Sequence, residues 1–118
     1  MRAHLVAAAV TAVLTVAAPV HAKDRTGYKA IAAQDYAKAE RRLASERRIF
    51  PTKPELMLNL AAVYLQTDRP AEARALYAEV LDQPATMMDV ASGQSVSSHA
   101  IATTAVAALD RSTAVASR

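Results

Sequence analysis

The chain contains no cysteine and no tryptophan, only two glycines, and one phenylalanine beside four tyrosines. Without cysteine there is no disulfide framework, no thiolate metal site, no cysteine nucleophile and no lipidated cysteine. Two glycines are too few for a sandwich or barrel, which spends glycine at its turns, and for a glycine-rich phosphate loop. Charge of one sign is scarce as well: 14 basic against 11 acidic residues leave a net charge of +3. That balance is too mild and too mixed to require nucleic acid. What remains is a chain of 118 residues, 53% of them hydrophobic. Much of this fraction is alanine, with leucine and valine, a composition suited to one small domain of closely packed helices.

The first 22 residues have the layout of a secretory signal peptide. Arg2 supplies the positive n-region, residues 5–18 are uncharged and apolar, and Pro19 precedes the small-residue site Val20-His21-Ala22. A membrane anchor needs about 20 strongly apolar residues; this run is shorter and mostly alanine. Cleavage after Ala22 would leave a periplasmic or secreted protein that begins at Lys23, has no integral membrane span and keeps His99 as its one histidine.

Displacing the sequence by 34 residues aligns Ala39 with Ala73, Leu43 with Tyr77 and Glu40 with Arg74, and brings Pro51 within one position of Pro84. The better copy reads Met57-x-x-Leu60-Ala61-x-x-Tyr64, then Ala73-x-x-x-Tyr77, then Pro84. This pattern resembles the tetratricopeptide repeat, with Ala61 in place of the usual glycine and Met57 in place of the usual tryptophan. Small residues such as Ala61 and Ala73 let two antiparallel helices approach closely, and Leu60, Tyr64 and Tyr77 fill the space around the contact. The first copy is poorer, with only Tyr28, Ala30 and Ile31 ahead of the turn at Gln34-Asp35. Its second helix is clear: Asp35 caps it, and Tyr36, Ala39, Leu43 and Phe50 share one face. Prolines 51, 54 and 70 punctuate the helices. Helices are therefore expected near residues 25–34, 36–49, 54–66 and 70–82.

The expected architecture is all-α: two antiparallel helical hairpins forming a tetratricopeptide-like α-solenoid over 23–85, after the cleaved leader 1–22. A loop or short hairpin follows at 86–97, where apolar and polar residues alternate around Ser92-Gly93. Ser97 or Ser98 then caps a helix at 98–110 with Ile101, Ala105 and Leu109 on one face. This helix is expected to cover the last repeat, and 111–118 to be a flexible tail.

Chemistry finds little footing. Ser95, Ser97, Ser98 and His99 form the densest cluster of catalytic residue types, yet a serine and histidine adjacent in sequence rarely face each other; helix capping accounts for the serines. Met87, Met88 and His99 offer ligand types that suit copper, but without a repeated motif, and methionines also fill gaps beneath loops. Arg41, Arg42, Arg47 and Arg48 are interrupted by Glu40 and Glu46 and lack interleaved aromatics, which favours a solvated helix face over nucleic acid. Arg47 lies beside the apolar stripe, where it would pair with Glu40 or cover the stripe with its stem. No enzymatic activity, cofactor or metal is expected.

The helix at 54–66 is apolar around most of its circumference, with one narrow polar stripe, so several neighbours must bury it. In tetratricopeptide arrays the first helix of each repeat lines a concave peptide-binding groove. The resemblance implies that Glu55, Leu58, Asn59, Ala62, Leu65 and Gln66 face it, and the 34-residue shift adds Tyr28, Ile31 and Ala32. The family's basic clamp for a terminal carboxylate is not matched, since Asn59 stands in this stripe without lysine or arginine. The expected function is that of an exported scaffold that binds another protein or peptide. The alternative is a structural homo-oligomer whose groove is closed by an identical chain, and the face is equally open to cover by the C-terminal helix.

Overall fold

The computed structural model of the chain describes residues 15–16 and 25–116. Apart from Thr15 and Val16, the expected leader lies outside the described residues, as do the last two residues of the expected tail.

Five helices and one small hairpin make up the described fold: α1 (Tyr28–Ala32), α2 (Tyr36–Ile49), α3 (Pro54–Gln66), α4 (Pro70–Leu81), β1 (Met87–Asp89), β2 (Ser95–Ser97) and α5 (Ser98–Ala116). The two antiparallel helical pairs are α1–α2 and α3–α4, and the chain is mainly α-helical. Helix α1 is only five residues long, because its ends are set by the backbone on either side. Gly27 enters it at φ 70, where a Cβ would also meet Leu43 Cγ at 3.0 Å. Gln34, at φ 59, leaves it, and the Asp35 N–H then donates to the Ala30 carbonyl. The second hairpin repeats this exit at Asp68, also at φ 59, with the Arg69 N–H donating to the Tyr64 carbonyl. Both are left-handed helix ends in which one residue satisfies the orphan carbonyls. Their positions differ by the same 34 residues as the sequence pattern.

Asp35 caps α2 by accepting the Lys38 N–H at 3.2 Å. Arg69 holds the equivalent place before α4 without a side-chain cap, and Pro70 at the first helical position removes one orphan donor instead. Pro54 does the same for α3. Ala39, Ala61 and Ala73 are fully buried where helices approach, with Leu43, Met57, Leu60, Val63, Leu76 and Tyr77 packed around them. Phe50 departs from its expected place on the α2 stripe. It terminates the helix, stands 42% exposed and lies 5.4 Å from the Lys53 ammonium.

Beyond α4 the chain forms an antiparallel hairpin in the register Met87↔Ser97, Met88↔Val96 and Asp89↔Ser95. The Val90 N–H donates to Gln94, the Gly93 N–H returns to Val90, and Gly93 takes φ 86, a three-residue loop closed by a left-handed glycine. Ser97 caps α5 by accepting the Ala100 N–H, while Ser98 is buried and ties the hairpin base through bonds in both directions with Thr86. Helix α5 packs on α4 and α3 through Ile101 and Ala102, with Ala105, Val106 and Leu109 half-buried beside them. It runs to Ala116, six residues past the expected end at Asp110, and Arg111 to Ala116 are exposed. Arg74 of α4 pairs with Asp110 at 2.8 Å.

Candidate functional site

Helix α3 is buried along two of its turns, from Leu56 to Val63, as its apolar circumference requires. Within it Asn59 is 0% exposed, a carboxamide that must find partners inside the protein. It finds them in chain segments distant in sequence. Asn59 Oδ1 accepts the Val16 N–H at 2.8 Å, and Nδ2 donates to the Val16 carbonyl at 3.1 Å and to the Thr26 carbonyl at 2.8 Å.

Val16 also lies antiparallel to Val90, next to the hairpin, and the Ala91 N–H donates to the Thr15 carbonyl at 3.1 Å. In this pairing the amide groups of Val16 point away from Val90, as they do in a non-hydrogen-bonded pair of an antiparallel ladder. Asn59 meets them on that outer side. Its carboxamide thus stands where the next strand's peptide group would stand, and residues 15–16 are held as a strand between a side chain and a hairpin. The Val16 side chain is 3% exposed and belongs to the apolar cluster that contains Leu58, Met88 and Val90.

The nine residues expected to face a groove therefore divide. Leu58, Asn59 and Ala62 are buried, with Ala62 only 1% exposed. Tyr28, Ile31, Glu55 and Leu65 are half-buried, whereas Ala32 and Gln66 are exposed. An arginine at position 62 would accordingly meet the protein interior instead of a partner's surface.

The other sequence candidates separate. His99 Nε2 is taken by the Gln83 carbonyl, Ser97 and Ser98 are engaged at the base of the hairpin and α5, and Ser95 Oγ donates to Asp89 Oδ1 at 2.8 Å. Met87 is 64% exposed and Met88 4%, because neighbours on a strand point to opposite faces, so the two sulfurs do not converge. Among the described residues no group of three or more histidines and carboxylates is placed to hold a metal ion. Arg41, Arg42 and Arg48 are exposed. Arg47 pairs with Glu79 of α4 at 3.4 Å, in place of the expected Glu40.

Glu40 is instead claimed by Arg69, which carries the most connected polar cluster outside Asn59. Its guanidinium binds both Glu40 oxygens, donates to Thr67 Oγ1 and lies 4.5 Å from the centre of the Tyr64 ring. The hydrogen bonds from Arg69 hold the Glu40 carboxyl below its ordinary range, against the opposing effect of partial burial. This cluster fastens α2 to the turn between α3 and α4.

The sequence shows Asn59 in the polar stripe of α3 but not its partner Val16, since residues 15–16 read as leader. The available signal was the asparagine itself, a polar group in an apolar stretch with no local partner of its own.

The family model of the tetratricopeptide repeat matches residues 30–87, from α1 to the first hairpin strand. No curated protein and no solved structure matches the chain.

Proposed function

Because the chain belongs to the tetratricopeptide repeat family, through residues 30–87, a family of scaffolds for protein–protein interaction, we propose that it is an exported module that holds another polypeptide without catalysing a reaction. The observation that carries this reading is the grip of α3 on extended backbone. Asn59 binds the N–H and carbonyl of one residue and so recognises a main chain whatever its side chains. The exposed and half-buried remainder of the inner face, Tyr28, Ile31, Ala32, Glu55, Leu65 and Gln66, provides a surface for the rest of a partner. No helix among the described residues is long and apolar enough to cross a membrane.

Three measurements test the reading. Intact-mass analysis of protein from the native host is expected to begin at Lys23; a membrane-bound species that retains Arg2 would mean an anchored protein instead of a released one. In crosslinking within the native envelope, Ala32→Arg is expected to lose partners recovered by the unchanged chain, with the same melting temperature, because Ala32 is exposed. A variant that recovers partners as before would exclude this face. Sedimentation at increasing concentration separates a hetero-partner from the homo-oligomer, in which the chain itself would close the inner face.

A further inference from the structure

A buried asparagine whose amide is satisfied by the leader creates a difficulty once that leader is gone. Residues 15–16 supply a donor and an acceptor to Asn59, a backbone acceptor to Ala91 and an apolar side chain to the cluster around Leu58 and Val90. Without them, Asn59 keeps only the Thr26 carbonyl. One amide proton and the amide oxygen then face an apolar slot, and desolvated groups of this kind bind whatever restores their hydrogen bonds.

We infer that Asn59 and the Val90–Ala91 segment form a strand-acceptor slot, occupied in cis by Thr15-Val16, which after loss of residues 1–22 takes an extended segment of a partner polypeptide carrying a small β-branched apolar residue. The inference rests on the proposed removal of the leader and deepens the scaffold reading by naming what is bound. Its occupant follows from the one now seated there. The slot grips a single residue's N–H and carbonyl from one side and the preceding carbonyl from the other, which only an extended backbone presents together. A helical peptide has already spent these groups internally. The side chain enters a space that valine fills to 3% exposure, so a larger residue would overpack it and a charged one would be stranded. Specificity therefore rests on strand conformation and residue size, and the leader excludes competitors for as long as it is attached.

The test uses the full chain. Val16→Cys with Val90→Cys places the chain's first two cysteines opposite each other in a non-hydrogen-bonded pair, at a Cα separation of roughly 4.5 Å, within disulfide reach. Mild oxidation is expected to close an intrachain bond, while Val16→Cys with Val115→Cys, at the exposed end of α5, is expected to close none. A fluorescent peptide of residues 11–20 of this chain then serves as probe. Full-length Val16→Asp, in which the cis strand cannot enter the slot, is expected to bind it at least tenfold more tightly than the unchanged chain, and adding Asn59→Leu is expected to abolish that gain. Should Val16→Asp lose its helical circular dichroism, Val16→Gly vacates the apolar space without introducing charge. No disulfide when Val16→Cys is combined with Val90→Cys, no capture by a folded Val16 variant, or equal capture by the unchanged chain would overturn the inference, whatever becomes of the leader. Capture by Val16→Asp, combined with mature protein that still carries residues 1–22, would defeat the proposed removal of the leader and leave the slot standing.

Discussion

Two glycines in the described chain adopt left-handed backbone for different reasons, and the difference is measurable. At Gly93 (φ 86) nothing lies within 4 Å of an added Cβ, so Gly93→Ala meets only the conformational penalty, about 1 kcal/mol. At Gly27 (φ 70) the same methyl also presses on Leu43 at 3.0 Å, and Gly27→Ala is expected to cost about 2 kcal/mol or more. Thermal melts that ranked the two in the opposite order would mean that Leu43 moves aside freely. Two titratable groups give pH signatures of opposite sign. Burial pushes the Tyr77 phenol up to about 12, whereas in the unfolded chain it titrates near 10. The unfolded state therefore loses the proton first as pH rises, and stability falls between about pH 10 and 12, by up to roughly 2–3 kcal/mol. Glu40, held down by Arg69, contributes stability at neutral pH that is lost as pH falls through its lowered value. Denaturant midpoints across pH are expected to show a shallower alkaline limb in Tyr77→Phe and a shallower acid limb in Glu40→Gln.

Between elements, the contact that matters most is the close approach of α3 and α4. Ala73 is fully buried there, so Ala73→Leu should overpack the hairpin and cost about 1–3 kcal/mol. Arg41→Ala, on the exposed side of α2, should change stability by less than about 0.5 kcal/mol. The reverse order in thermal melts would mean that the helices pack on other faces. Helices α2, α3 and α4 are legible in the sequence because Asp35, Pro54 and Pro70 mark their starts and apolar residues recur at helical spacing. The limits of α1 are not, since they depend on left-handed Gly27 and Gln34, and only the first of these residue types announces such a conformation. The length of α5 is hidden for another reason: Arg111 to Ala116 bury nothing, so no periodicity marks them as helical. Glu79, Glu40 and Val16, which hold Arg47, Arg69 and Asn59, lie 29 to 43 residues from them in sequence. Such choices are made by packing, and no local pattern records them. For the candidate site, the polar stripe of α3 is therefore readable in the sequence, and the segment that Asn59 holds is not.

At the scale of the whole molecule, two hairpins expose a flank of α4 that a third repeat would cover, and here α5 takes that role. Ending the chain after Gln94 removes Val96, Ser98, Ile101 and Ala102 from the interior. With about 2 kcal/mol at stake for a side chain such as Ile101, this is a large share of the roughly 5–10 kcal/mol that holds a small domain together. That truncation is expected to aggregate or melt far below the full chain. Ending it after Arg111 removes, among the described residues, only exposed ones and is expected to be nearly silent; equal melts for both would assign α5 to another role. The matched left-handed exits at Gln34 and Asp68 have a consequence for how such a molecule can grow. Because they are one period apart, copying residues 35–68 in tandem adds a hairpin whose entry and exit angles fit those already present. An insertion of any other length throws every later turn out of phase. Lengthening by whole-unit duplication is thus a single step, and the hairpin and α5 travel with the end of the array as its terminator.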